Sequence, residues 1–256
     1  PVRDLMRPRP ITVVPETDQE EVGRIVARYD LAALPVVDAD GRMLGVVTAD
    51  DVIDILVEEG TEDVLRFGGV ERGMPDETYF TVPILQAVRR RVPWLLLLFV
   101  GGSFTANVLG FFEDELASMV ALTFYVPLLI GTGGNTGAQT VSTLIRALAL
   151  GDVRLRDAWR VIWRELVAGL LLGLMLGVVA FGKVLADGEI FALSGAVALS
   201  VVAICVWANV IGALVPMAAR RLNVDPALVS APMITTLVDA SGLAIYLLIA
   251  RVLLGL

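Results

Sequence analysis

The chain contains no histidine and a single cysteine, only 7% of its residues are aromatic and only 19% are charged. Without histidine there is no His-Glu-x-x-His metalloprotease, no His-ligated zinc and no imidazole base. Cys205 alone forms neither an internal disulfide nor a Cys-rich metal cluster, and its apolar surroundings read as packing. The formal net charge of −8 lacks the basic surplus that holds nucleic acid, so no nucleic-acid partner is expected. What abounds is apolar: 56% of the residues are hydrophobic and the mean hydropathy is +0.76, beyond the range of ordinary soluble domains.

Charge is unevenly spread. Residues 1–91 hold 18 Asp and Glu against 11 Arg, whereas residues 92–256 hold 10 acids against 9 bases. The first third reads as a soluble acidic module and the rest as lipid-dissolved. Charge-free stretches cover residues 92–112, 116–145, 166–182 and 190–219, and residues 226–250 are interrupted only by Asp239. About 20 apolar residues cross the hydrocarbon of a bilayer. Five transmembrane helices are therefore expected, at about 92–112, 116–146, 159–184, 190–219 and 226–254. Arg89, Arg90 and Arg91, then Arg146 to Arg164, then Arg220 and Arg221 fall on one side of these spans. Glu113, Asp114, Glu115, Asp187 and Glu189 fall on the other. Arginine excess marks the cytoplasmic side, which puts the N-terminus in the cytoplasm and the C-terminus outside.

Residues 11–66 alternate short apolar runs with helical patterns. ITVVP, LPVVD and MLGVVT read as strands, the last two around an Asp40-Gly41 turn. TDQEEVGRIVARYD, with Thr17 as cap, and ADDVIDILVEE read as helices, completing a β-α-β-β-α unit. Its acids, among them Asp18, Glu20, Asp30, Asp51, Asp54, Glu58, Glu59, Glu62 and Asp63, are either a solvated face or an oxygen-only site for a hard divalent cation. Asp51, Asp54, Glu58 and Glu62 share one helical face, where like charges repel until a cation intervenes.

Two membrane stretches break the apolar pattern. PLLIGTGGNTGAQTVSTLIRAL carries Gly131, Gly133, Gly134 and Gly137 with a polar stripe of Thr132, Asn135, Thr136, Gln139, Thr140 and Thr143. In lipid such groups face protein or a water-filled cavity, although Gly133 and Gly137 also suit close helix packing. Neither phosphate-binding Gly motif is satisfied. In DPALVSAPMITTLVDASGLAIYLL, Pro232, Thr235, Thr236, Asp239 and Gly242 share a face. Asp239 is the fourteenth of the 25 residues from 226 to 250. An acid at that depth costs about 2.5 to 3.5 kcal/mol on insertion scales. It is a protonated, hydrogen-bonded group or, on the preferred reading, an ion site on a permeation path, with Pro232 freeing a backbone carbonyl nearby. Gly169, Gly173 and Gly177 lack polar company and read as packing.

YDLAALPVVDADGRMLGVVTADDVIDIL resembles a cystathionine-β-synthase-type (CBS) repeat, a unit that works in pairs. With one repeat and a start at Pro1, a partner repeat is expected upstream. FYVPLLIGTGGNTGAQ, RALALGDVRLRDAWRV and RRLNVDPALVSAPMITTLVDASGLAIYL resemble the MgtE magnesium channel family. The resemblance implies an α-helical polytopic membrane protein with a cytosolic CBS repeat over residues 1–66, a connecting plug region over 67–91 and a transmembrane domain over 92–256. It further implies a homodimer in the plasma (bacterial inner) membrane, with a pore on the two-fold axis lined by the second and fifth helices. Asp239 would hold largely hydrated Mg²⁺, with Mn²⁺ and Co²⁺ as further candidates, and Gly133, Gly134, Asn135, Gln139, Pro232, Thr235, Thr236 and Gly242 would line the pore. Sensor carboxylates would be Asp18, Glu20, Asp30, Asp51, Asp54, Glu59, Glu62 and Asp63, with Asp225 meeting the plug. ATP binding at the CBS unit stays open. Ala231 stands where a polar Asn is expected, which removes a side-chain ligand at that level. A coupled secondary ion transporter is the first alternative, although five spans do not divide into equal repeats. An intramembrane aspartyl enzyme is the second, although one chain supplies one such acid.

Overall fold

The computed structural model describes residues 10–71, 79–226 and 229–256. Residues 1–9 of the expected cytosolic unit, 72–78 of the expected plug region and 227–228 of the expected last span lie outside the described residues. The chain divides into two compact units, Pro1–Val64 and Leu65–Leu256.

In the first unit α1 (Gln19–Tyr29), β1 (Ala33–Val37) and β2 (Met43–Thr48) lead into α2 (Ala49–Phe67). Helix α1 starts at Asp18, whose carboxylate accepts the Glu20 amide at 2.9 Å. The expected cap, Thr17, instead accepts the Val14 amide on its hydroxyl at 3.2 Å. An ionised Asp fills an orphan donor and also meets the positive end of the helix dipole, so it prevails over its neighbour. Asp18→Ala should therefore cost about 1 kcal/mol, read as a lower thermal midpoint, while Thr17→Ala stays within half of that.

Strands β1 and β2 pair antiparallel from Ala33↔Thr48 to Val37↔Met43. Their turn is the expected one: the Asp38 carboxylate accepts the Asp40 and Arg42 amides at 3.0 and 2.8 Å, and Gly41 takes a φ of +76°. ITVVP does not form a strand. It contributes one parallel bridge, Val13 with Val36, because the chain turns at once through a Thr17 N–H to Val14 carbonyl bond of 3.0 Å. Val13, Val22, Val26, Leu34 and Val52 form the small core.

In the second unit α3 (Ile84–Phe111), α4 (Glu113–Ser118), α5 (Ala121–Ala149), α6 (Ala158–Ala186), α7 (Phe191–Arg221) and α8 (Ala231–Leu254) follow in order. Among the described residues four helices are long and apolar enough to cross a membrane: those at Ile84–Phe111, Leu155–Ala186, Phe191–Arg221 and Ala231–Leu254. Helix α5 has the length, at 29 residues, but its Gly, Thr, Asn and Gln content keeps it out of that set. The first expected span begins earlier than charge suggests, since residues 84–91 of the connecting region are already turns of α3. The second is cut at Met119 and Val120, which separate α4 from α5. The last begins at Ala231, because residues 222–226 form no α-helical turn.

The bundle is apolar outside as well as in its core. Helix α7 packs against α5, α6 and α8, and α3 lies on α8 with no buried residue of its own. Leu171, Met175, Val178 and Val179 of α6 point outward, while Gly169, Gly173 and Gly177 point at α7. An apolar exterior over a small-residue contact is what lipid favours, since lipid does not reward burying Leu but close backbone approach does. A Cβ placed on Gly173 would stand 2.8 Å from Val202 Cα, and one on Gly169 2.9 Å from the Cys205 carbonyl oxygen. Arg220 closes the other end of α5 by donating to the Leu148 carbonyl at 2.6 Å. Tyr246 OH donates to the Leu122 carbonyl at 3.0 Å, tying α8 to the start of α5.

Candidate ion site in the helical unit

Asp239 is the ninth of the 24 residues of α8. At 1.5 Å per residue it stands about 12 Å from the start of the helix, nearer one end than the charge-free stretch predicts. Ser230 fixes that start, its hydroxyl accepting the Met233 amide at 3.2 Å. Pro232 therefore falls in the first turn, where its missing N–H interrupts no helical bond, and the carbonyl expected to be freed one turn earlier belongs to residue 228, outside the described residues. The carbonyl of Pro232 itself accepts the Thr235 and Thr236 hydroxyls at 2.8 and 2.9 Å.

Helix α5 presents its smallest residue to the acid. A Cβ on Gly134 would lie 3.5 Å from Asp239 Oδ1 and 3.2 Å from Thr235 Cγ2. The half-buried Asp239 carboxylate makes neither a hydrogen bond nor an ion pair among the described residues. Beside Gly134, Asn135 and, one turn on, Gln139 are exposed, and their side chains form no hydrogen bond among the described residues.

The expected single polar stripe of α5 splits in two. Thr132, Asn135, Gln139 and Thr143 stay on the open side, whereas Thr136 and Thr140 are buried against α7. Thr140 donates to Asn209 Oδ1 at 2.7 Å, and Thr136 donates to its own helix at the Thr132 carbonyl. The stripe spans about 140° of the helix at 100° per residue, too wide for one surface. Gly133 and Gly242, expected on the pore, face Ile204 of α7 instead, at 2.6 and 3.5 Å from their would-be Cβ positions. Gly137 likewise meets Ile234 at 2.9 Å, so these glycines serve helix packing. Thr236 points the other way, its Cγ2 2.8 Å from a Cβ on Gly101 of α3.

Four of the expected sensor acids, Asp18, Glu20, Asp51 and Glu59, have local partners. Asp18 caps α1, Glu20 pairs with Arg24 at 2.5 Å, and Glu59 accepts from the Gln19 side chain. Asp30 ends α1 in the left-handed region at φ 48°. Asp51 accepts the Thr48 hydroxyl and amide at 2.5 and 3.0 Å, and these bonds hold its carboxyl below the usual carboxylate range. Asp54, Glu58, Glu62 and Asp63 follow along α2. In the second unit Asp225 pairs with Arg66. Among the described residues no three of these carboxylates stand together as a preformed metal group. Charge counting passed over Glu165, which lies inside α6, half-buried, at the edge of the charge-free run.

Residues 126–249 match the family described as "MgtE: Divalent cation transporter", and residues 2–58 match the CBS domain. The chain is 48% identical over 253 residues to the magnesium transporter MgtE of Thermus thermophilus, covering 99% of this chain and 56% of that protein. It is 35% identical to the magnesium transporter MgtE of Bacillus subtilis and 32% identical to that of Enterococcus faecalis, each match covering 97% of this chain and 54% of the relative. The chain thus spans about half the length of the curated relatives it matches. It carries a match to a divalent-cation-transporter domain behind a match to a CBS domain, and is similar along nearly all its length to magnesium transporters MgtE.

Proposed function

We propose that the helical unit passes hydrated Mg²⁺ between two copies of the chain, with α5 and α8 of each copy facing the two-fold axis and Asp239 as the ion site. The observation that carries this is the unpartnered Asp239 beside a polar edge, Asn135 and Gln139, left open on an otherwise apolar bundle. In lipid such an edge demands protein or water opposite, which a second copy and an aqueous path supply. Helix α5 is then the fifth crossing, polar because it lines the path. Mg²⁺ sheds water reluctantly and prefers an octahedral oxygen shell, so one carboxylate per copy, with Asn and Gln oxygens nearby, suits a hydrated ion. Two Asp239 carboxylates across an axis repel, and a divalent ion offsets that repulsion better than a monovalent one. The magnesium transporters among its relatives support the choice of ion. The arginine distribution supports a cytoplasmic N-terminus in the plasma membrane. The reading is tested by Mg²⁺ entry into vesicles carrying the purified chain under an inside-negative potential, and entry no faster than in protein-free vesicles would overturn it.

The first unit acts, on the same reading, as a Mg²⁺ sensor whose carboxylates the ion gathers. Asp54, Glu58 and Glu62 share a face of α2 at spacings of four, where ionised side chains repel. Millimolar Mg²⁺ should therefore compact this unit and slow its cleavage by protease. Digestion at equal rates with and without Mg²⁺ would remove the sensor while leaving the path.

A further inference from the structure

Residues 65–71 belong to the second unit and close α2 with a glycine turn. Gly69 takes a φ of +71°, its N–H donates to the Arg66 carbonyl at 2.8 Å, and the Val70 N–H donates to the Leu65 carbonyl at 2.9 Å. The Glu71 N–H then donates to the Arg90 carbonyl at 3.3 Å, which sets this turn against the first turns of α3. Trp94 of α3 lies against Gly69: a Cβ there would overlap indole Cδ1 and Nε1. The same indole N–H donates to Ser230 Oγ at 2.9 Å. Ser230 is 0% exposed and, as the N-cap of α8, also accepts the Met233 amide at 3.2 Å. An aromatic ring that merely anchors a helix at the lipid boundary leaves its N–H to water or headgroups. Trp94 instead gives its N–H to a buried hydroxyl 136 residues away.

We propose that Trp94 is a positioning residue for α8, kept in place by the Gly69 turn and fixing through Ser230 where the helix that carries Asp239 begins. The inference rests on the reading that Asp239 is the ion site. Donor counting makes the arrangement definite. The indole and the Met233 amide can only donate, so together they fill both lone pairs of Ser230 Oγ and hold it from two helices. Asp239 follows about two and a half turns later on the same unbroken helix, so a shift at the cap is carried to its carboxylate. Helix α3 has no buried residue of its own, so a directional bond fixes it on α8 more firmly than packing does. A Phe at this position keeps a ring against Gly69 and loses the bond.

Hydrogen–deuterium exchange on the purified full chain, read by mass spectrometry over residues 231–236, tests the link without requiring transport. Trp94→Phe should speed exchange there about two- to tenfold, as expected from loss of one hydrogen bond, and leave residues 196–208 of α7 at the native rate. It should also lower Mg²⁺ entry into vesicles by a similar factor. Gly69→Asn tolerates the left-handed backbone but adds the Cβ that displaces the ring, and should do the same. Ser230→Gly removes the acceptor, and adding Trp94→Phe to it should change neither readout further. Native exchange over residues 231–236 in Trp94→Phe would overturn the proposal. So would faster exchange spread evenly over all helices, the mark of a packing role, or native Mg²⁺ entry beside a loosened helix start. Where Trp94→Phe does not fold, Ser230→Gly removes the same bond from the other side and carries the same local prediction. Absence of Mg²⁺ entry in the native chain would sink the proposed path, and exchange would still decide whether Trp94 holds α8.

Discussion

Asp239→Ala abolishes Mg²⁺ entry, by on the order of 100-fold or more, and leaves the folded bundle at least as stable as the native one. Both halves of this expected result come from the same observation. The carboxylate makes no hydrogen bond or ion pair among the described residues, so its removal takes no internal contact from the fold. An acid inside a membrane helix costs about 2.5 to 3.5 kcal/mol to insert, and Ala releases that cost. For the ion, a unit charge at 4 Å contributes about 4 kcal/mol at an effective dielectric constant of 20, and a divalent ion feels about twice that. Asp239→Asn separates charge from shape: it keeps an oxygen at the site and is expected to fail nearly as completely as Ala, whereas Glu retains partial entry. Flux in vesicles and thermal unfolding in detergent, measured on the same preparations, read the two halves independently. Native flux in the Ala variant would place the ion path elsewhere; lost flux together with a lost fold would return Asp239 to a structural role.

Gly173→Leu is expected to prevent assembly of the helical unit. A Cβ at this position already lies 2.8 Å from Val202 Cα and 3.0 Å from the Val202 carbonyl oxygen. Those atoms belong to the backbone of α7 and do not yield as a side-chain tip would. Overpacking in a soluble core costs about 1 to 3 kcal/mol, and three further carbons forced between two helix backbones exceed that range. Gly173→Ala, with a single carbon, should lower the unfolding midpoint while the protein remains monodisperse. Gly182 on the same helix supplies the control, because nothing lies within 4 Å of its would-be Cβ. Gly182→Leu should purify like the native chain. A monodisperse, normally melting Gly173→Leu protein would contradict the close approach of α6 and α7.

The sequence makes the helices legible where composition alone decides them. Long charge-free stretches announce α3, α6, α7 and α8 because lipid tolerates few ionised groups along a span, and Asp239 is conspicuous for the same reason. Boundaries are less legible, since charge ends where lipid ends and a helix need not: α3 continues through Arg89, Arg90 and Arg91 into water, and α8 waits for the Ser230 cap. The two-sided nature of α5 is hidden as well. Thr136 and Thr140 have the same spacing as Asn135 and Gln139, and only the position of Asn209, 69 residues beyond Thr140, shows that they turn inward. Gly133 and Gly134 are adjacent and chemically identical, yet one meets Ile204 and the other Asp239. In the first unit, the acids read as one cluster are mostly occupied singly, because caps and i,i+4 pairs use the same residue types as a metal site.

The glycine seam between α6 and α7 also bears on the order in which the molecule is made. These two helices are neighbours in sequence, joined by residues 187–190, and their contact needs nothing further from the ribosome. The α5–α8 approach that brings Gly134 to Asp239 is long-range and cannot form until the final helix has been synthesised. Local contacts form before distant ones because less chain entropy is lost in closing them. The hairpin of α6 and α7 is thus an early scaffold, and the approach of Gly134 to Asp239 forms only after α8 has been made.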